Sequence, residues 1–157
     1  MSRRKRVYKK RIDVDPVYGS TMLSKFINKV MMHGKKSIAR TIVYGALTKF
    51  AEKVKSDNPL AAFEQAVENA RPSLEVKTRR IGGANYQVPV EIPSDRRTAM
   101  AMQWLILNSR SKPGRSMEDA LAAELTDCYN HQGATIKKKD DTHRMAEANK
   151  AFAHYKW

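Results

Sequence analysis

The sequence predicts a mainly α-helical fold: a six-helix bundle with a protruding two-stranded β-hairpin between the third and fourth helices, preceded by a flexible basic N-terminal arm. Three observations predict it. Apolar residues recur at helical spacing in six stretches, the period changes once from 3.6 to 2 over about residues 73–92, and no linker or internal repeat divides the chain. At 157 residues and 17.9 kDa, with 41% hydrophobic residues, the chain is sized for one packed core rather than two. We therefore expect a single domain over 1–157, with an arm at 1–12 and a helical body at 13–157.

The elements follow in order. Asp15-Pro16 and Gly19-Ser20 are turn chemistry, and Ser20 or Thr21 suits an N-cap because its oxygen accepts from the first free amides. Leu23, Phe26, Ile27, Val30 and Met31 then form one helical stripe, which Gly34 should close in the C′ position. Lys35 to about Lys55 reads as a second helix with Ile38, Ile42, Ala46, Leu47, Phe50 and Val54 inward. Asn58-Pro59 places a capping side chain before a proline at the first helical position, opening a third helix through Leu60, Phe63, Val67 and Ala70.

SLEVKTRR and YQVPVEI then alternate, with the glycine-containing IGGAN between them. Leu74 and Val76 are expected to join Tyr86, Val88, Val90 and Ile92 on the apolar side, with the tip projecting beyond the core. Ser94 should cap a fourth helix to about Ser109, apolar nearly all round and so central. Ser116 should cap a fifth helix through Ala120, Leu121, Leu125 and Cys128. A sixth runs from about Ala134 to Ala148.

Thirty Lys plus Arg against sixteen Asp plus Glu give a net charge of +14, which penalises compaction until a polyanion neutralises it. The cations fall into separate clusters: Arg3, Arg4, Lys5, Arg6, Lys9, Lys10 and Arg11 in the arm; Lys35 and Lys36; Arg79 and Arg80; Arg96 and Arg97; Arg110, Lys112 and Arg115; and Lys137, Lys138 and Lys139, with Arg144 beyond. Spread over helix ends and loops, these clusters read as distributed phosphate gripping. At the hairpin tip Gly82 and Gly83 allow close backbone approach beside Arg79, Arg80 and Asn85.

Other classes are disfavoured. One cysteine and four scattered histidines lack metal-ligand spacing, no nucleotide or hydrolase motif is present, and Asp140-Asp141 behind three lysines reads as a salt-bridged surface. No cofactor, metal or small-molecule substrate is expected, no enzyme activity, and no membrane span, since no apolar run nears the roughly 18 residues needed. The physics leaves RNA and DNA both open. Multi-point phosphate gripping suits compact RNA, while a helical body with a basic β-arm also describes DNA-bending proteins.

The strings DPVYGS, KFINKVMMHGKK, IARTIVYGAL, ENARPSLEVKTRRIGGANYQVPVEI and HRMAEANKAFAHY, spanning essentially Arg3 to Trp157, resemble the family of bacterial ribosomal protein seven of the small subunit. The resemblance implies a cytoplasmic ribosomal constituent and a primary binder of small-subunit ribosomal RNA that nucleates head assembly. It also implies a place at the subunit interface near the decoding region, with the hairpin beside exit-site tRNA and mRNA and with ribosomal proteins nine and eleven as neighbours. In one departure, Pro93-Ser94-Asp95 interrupt the basic character before Arg96-Arg97, so a weaker contact is expected there.

Overall fold

The structure, a computed structural model, describes residues 13–155; the arm expected at 1–12 and the last two residues, Trp157 among them, lie outside the described residues. The element order is α1 (Thr21–Val30), α2 (Lys36–Val54), α3 (Pro59–Ala70), β1 (Leu74–Ile81), β2 (Ala84–Glu91), α4 (Ser94–Arg110), α5 (Met117–Tyr129), α6 (Gly133–Ala148) and a short 3-10 helix (Lys150–Tyr155). Six α-helices with a hairpin between the third and fourth are thus present as expected.

The caps show why the elements start where they do. Ser20 Oγ accepts from the Leu23 amide at 3.3 Å, and Asn58 Oδ1 accepts from Leu60 and Ala61 at 3.1 and 3.2 Å ahead of Pro59. Ser116 Oγ accepts from the Asp119 amide at 3.1 Å. Ser94 is no cap: Pro93 takes that position, and the Ser94 hydroxyl accepts from Arg71 instead. Upstream, the buried Asp15 accepts from Val17, from Tyr18 and from the Tyr44 hydroxyl (2.6 Å), which ties the DPVY turn to α2. Burial first, then the Asp15 hydrogen bond, push the Tyr44 phenol up to about 12.

Phe26, Phe50, Phe63, Leu47, Leu105, Leu121 and Leu125 have no exposed surface, and the Phe26 and Phe63 rings lie 5.1 Å apart. Each such side chain stabilises the fold by roughly 1.5–3 kcal/mol before entropy is counted. The central helix is α5, which packs against α2, α3, α4 and α6. The expectation that α4 would be central is corrected by Leu107, which is 47% exposed and leaves α4 one open face.

Three further expectations are corrected. Val30 ends α1, and Gly34 is not its C′ residue. His33 and Gly34, both at positive φ (52° and 74°), instead form a tight turn closed by the Lys35 amide on the Met32 carbonyl at 3.0 Å.

In α2 the inward stripe begins one residue later than expected. Ala39 and Val43 enter the core, while Ile38 is 54% exposed and Ile42 only half-buried.

In the hairpin, the two-residue Gly82-Gly83 turn pairs Ile81 with Ala84, so every pair joins an even residue to an odd one. Leu74 and Val76 therefore oppose Glu91 and Pro89, whereas Glu75, Lys77 and Arg79 share a face with Val90, Val88 and Tyr86. The two apolar rows lie on opposite faces.

The hairpin face that carries Glu75 and Tyr86 is held at two points. Glu75, 8% exposed, is 3.1 Å from Arg96 and 3.3 Å from Lys77. Burial pushes its carboxyl up, but the two cations outweigh that and hold it below the usual carboxylate range. Tyr86 packs its ring 5.4 Å from Phe152 and 5.3 Å from Tyr155, so the C-terminal 3-10 helix braces β2. Lys77 through Arg79 are exposed along β1, and beyond this brace Arg80 and Ala84-Asn85 are exposed at the tip.

Candidate nucleic-acid interface

The cations expected to grip nucleic acid divide by what they touch. Lys112 lies 2.7 Å from Glu124, a carboxylate with no exposed surface. Glu124 Oε1 also accepts from the Thr135 amide (3.0 Å) and hydroxyl (2.8 Å), and Asn108 donates to that hydroxyl at 2.9 Å. The first turn of α6 has no side-chain cap of its own, so Glu124 supplies one from α5 and Lys112 balances its charge.

Other cations are used in the same way. Lys139 donates to the Asn69 carbonyl at the end of α3 (2.6 Å), Arg97 to the Ile92 carbonyl (2.6 Å) and Arg110 to the Val30 carbonyl (3.1 Å). Arg96 holds Glu75, and Lys138 sits 5.9 Å above the Trp104 ring. Arg144 is paired loosely with Asp141 at 3.7 Å, a surface pair as expected for that acidic stretch.

The fold also joins two clusters that are far apart in sequence. Lys35, from the α1–α2 turn, meets Arg110, Lys112 and Arg115, from the α4–α5 turn, around one cleft of about 370 Å³. Its floor is apolar, built from Val30, Met32, Ile38, Ala39, Ile42 and Met117, and no acid lines it. Lys35 and Arg115 are exposed at its edge.

Beside the cleft, Lys29 shares a groove with Gln103, Leu107 and Arg110, and Lys25 with Lys29 lines a second groove against α4. Lys25 and Lys29 escape the sequence reading because they are single residues. Their four-residue spacing, off the stripe of Leu23, Phe26 and Ile27, is the signal that marks them.

Lys137 is exposed on α6, and Lys36 is half-buried at the start of α2. At the hairpin tip Gly82 and Gly83 have φ of 57° and 90° and open space where a Cβ would stand, so backbone conformation and not crowding requires glycine there. Arg80 pairs across the strands with Asn85.

Among the described residues no group of His, Cys, Asp and Glu is placed to hold a metal. Cys128 is buried, and that burial above all pushes its thiol up to about 12. No described helix is long and apolar enough to cross a membrane.

The sequence profile of the family described as "Ribosomal protein S7p/S5e" matches residues 2–150. The chain belongs to that family. Similar proteins include the small ribosomal subunit protein uS7 of Protochlamydia amoebophila, 71% identical over 157 residues, and those of Chlamydia trachomatis serovar L2 and Chlamydia abortus, each 68% identical. In all three the alignment covers 100% of both chains. The family is one of ribosomal proteins, not of enzymes.

Proposed function

We propose that this chain is a structural constituent of the small ribosomal subunit that binds its ribosomal RNA directly and nucleates assembly of the head. The observation that carries this reading is the convergence of Lys35 with the Arg110–Arg115 turn at one acid-free cleft, in a +14 chain of the S7p/S5e family. Phosphates bind a rigid body best where cations project from fixed elements, and Lys35 and Arg115 do so from two packed helix ends. Lys25 and Lys29 line the neighbouring grooves, Lys137 and Arg144 are exposed on α6, and residues 3–11 hold seven more cations in sequence.

In this reading the hairpin tip lies beside exit-site tRNA and mRNA near the decoding region, and ribosomal proteins nine and eleven are neighbours in the cytoplasmic ribosome. The exposed Arg79-Arg80 pair supports it: the tip has too little apolar surface to serve the core and suits a phosphate backbone that comes and goes. Footprinting of the full chain on naked small-subunit ribosomal RNA tests the proposal. Discrete protections at nanomolar protein support it, whereas binding only as a component of a preassembled particle overturns the primary-binder role.

A further inference from the structure

We infer that the cleft between the start of α2 and the α4–α5 turn seats an unpaired RNA base, held on its apolar floor while the flanking phosphates sit on the cationic rim. The inference deepens the RNA-binding reading above and rests on it. The floor is formed by Met32, Ile38 and Ile42 and the rim by Lys35, Arg110 and Arg115.

Three observations carry it. Met32 is 56% and Ile38 54% exposed, and both line the cleft while Ala39 and Val43 fill the core; most of the surface of these two side chains is therefore left outside the bundle. Nothing acidic lines the cleft; of the two carboxylates that pair with Lys112, Glu124 at 2.7 Å is buried and Asp127 lies farther off at 3.6 Å. Its volume of about 370 Å³ lies at the small end of ligand sites, which run from roughly 300 to 1,000 Å³.

A nucleotide has the matching shape: a flat apolar face with a charge on either side, offered wherever RNA leaves its helix in a loop or bulge. A docking peptide helix needs a longer apolar groove for anchors at i, i+3, i+4 and i+7, and it gains nothing from four surrounding cations unless it is acidic.

The base and its phosphates make different demands, so the test separates them. Affinity of the full-length protein for naked small-subunit ribosomal RNA is measured against salt for wild type, for Met32→Ser/Ile38→Ser and for Lys35→Ala/Arg115→Ala. All four positions are exposed, and thermal melts of each variant establish that it folds; Met32→Ser alone serves if the double variant does not.

The floor variant is expected to bind about tenfold more weakly with an unchanged slope in log salt, because a lost base contact releases no counterions. The rim variant is expected to reduce the slope. Crosslinking of wild type to 4-thiouridine-substituted RNA is expected to mark the peptide containing Met32 and Ile38. A floor variant that binds RNA like wild type, with no crosslink at that peptide, overturns the inference while leaving RNA binding intact. The same result with loss of a neighbouring protein from reconstituted particles assigns the cleft to a peptide and also overturns it. Wild type that fails to bind the RNA at all overturns the underlying reading.

Discussion

The α4–α5 turn and the hairpin tip are both short, glycine-containing and basic, yet they stand in opposite relation to the body. In the turn, Arg110 is tied to the Val30 carbonyl and Lys112 to the buried Glu124, leaving Arg115 at the edge of the cleft. At the tip, Arg80 and Asn85 face solvent beyond the brace that Tyr86 makes with Phe152 and Tyr155. The difference teaches that a basic cluster in a sequence is not one functional unit. In RSKPGRS, Arg110 and Lys112 serve the fold and Arg115 the surface, and what sorts them is whether an acceptor inside the protein lies within reach.

The sharpest way to separate body from surface is to damage the body alone. Trp104, 8% exposed on α4, should cost about 3–5 kcal/mol when replaced by alanine, read from denaturant melts. A loss under about 1 kcal/mol would mean that α4 is not packed as described.

Next comes Lys112. Its removal leaves Glu124 buried without a counter-charge, so Lys112→Ala should destabilise by about 3 kcal/mol. Adding Glu124→Gln should restore part of this, since Gln keeps an acceptor for Thr135 without the charge. If the second substitution makes matters worse, the pair is not the reason for the loss.

A smaller effect follows from His143 at the hairpin base, where Nε2 accepts from the Ser73 amide at 2.9 Å. Burial, and then nearby Lys139, hold its pKa below the ordinary 6.5. The folded state thus favours neutral imidazole, and this contribution is complete above pH 6.5. It declines as pH falls below 6.5 toward the lower folded value, because there the unfolded chain binds the extra proton. His143→Gln should flatten the stability profile on the acid side of 6.5, checked by melts across pH.

The smallest expected effect on stability is at the tip. Removing Arg79 through Ala84 should shift the melt by less than about 1 kcal/mol, because Val88, Pro89 and Ile92 anchor the base. In reconstituted subunits, particle yield should hold while retention of deacylated tRNA falls. A failed head would make the tip an assembly contact.

Much of this was legible in the residues, and the exceptions have physical causes. The Asn58-Pro59 start, the Ser20 and Ser116 caps and the hairpin were readable because local chemistry decides them. The face assignment of the hairpin was missed, because alternation within each strand does not reveal it and only the two-residue Gly82-Gly83 turn fixes the pairing parity. The phase of α2 was not readable: Ile38 and Ala39 are both apolar, and only packing against α5 decides which goes in. Nor does any local signal tell Lys112 from Arg115. That depends on Glu124, twelve residues beyond Lys112 in sequence, and on the need of α6 for a cap.

The central claim is that the exposed cations of the cleft bind RNA while cations bonded inside the protein hold the fold. Its most direct test is the dependence of RNA affinity on salt for two folded double variants, Lys35→Ala/Arg115→Ala and Arg97→Ala/Lys139→Ala. The slope of log affinity against log salt should fall by roughly 1.4–1.8 for the first, the share of two phosphate contacts, and stay at the wild-type value for the second. Equal slopes for the two variants, or a fall confined to the second, would contradict it.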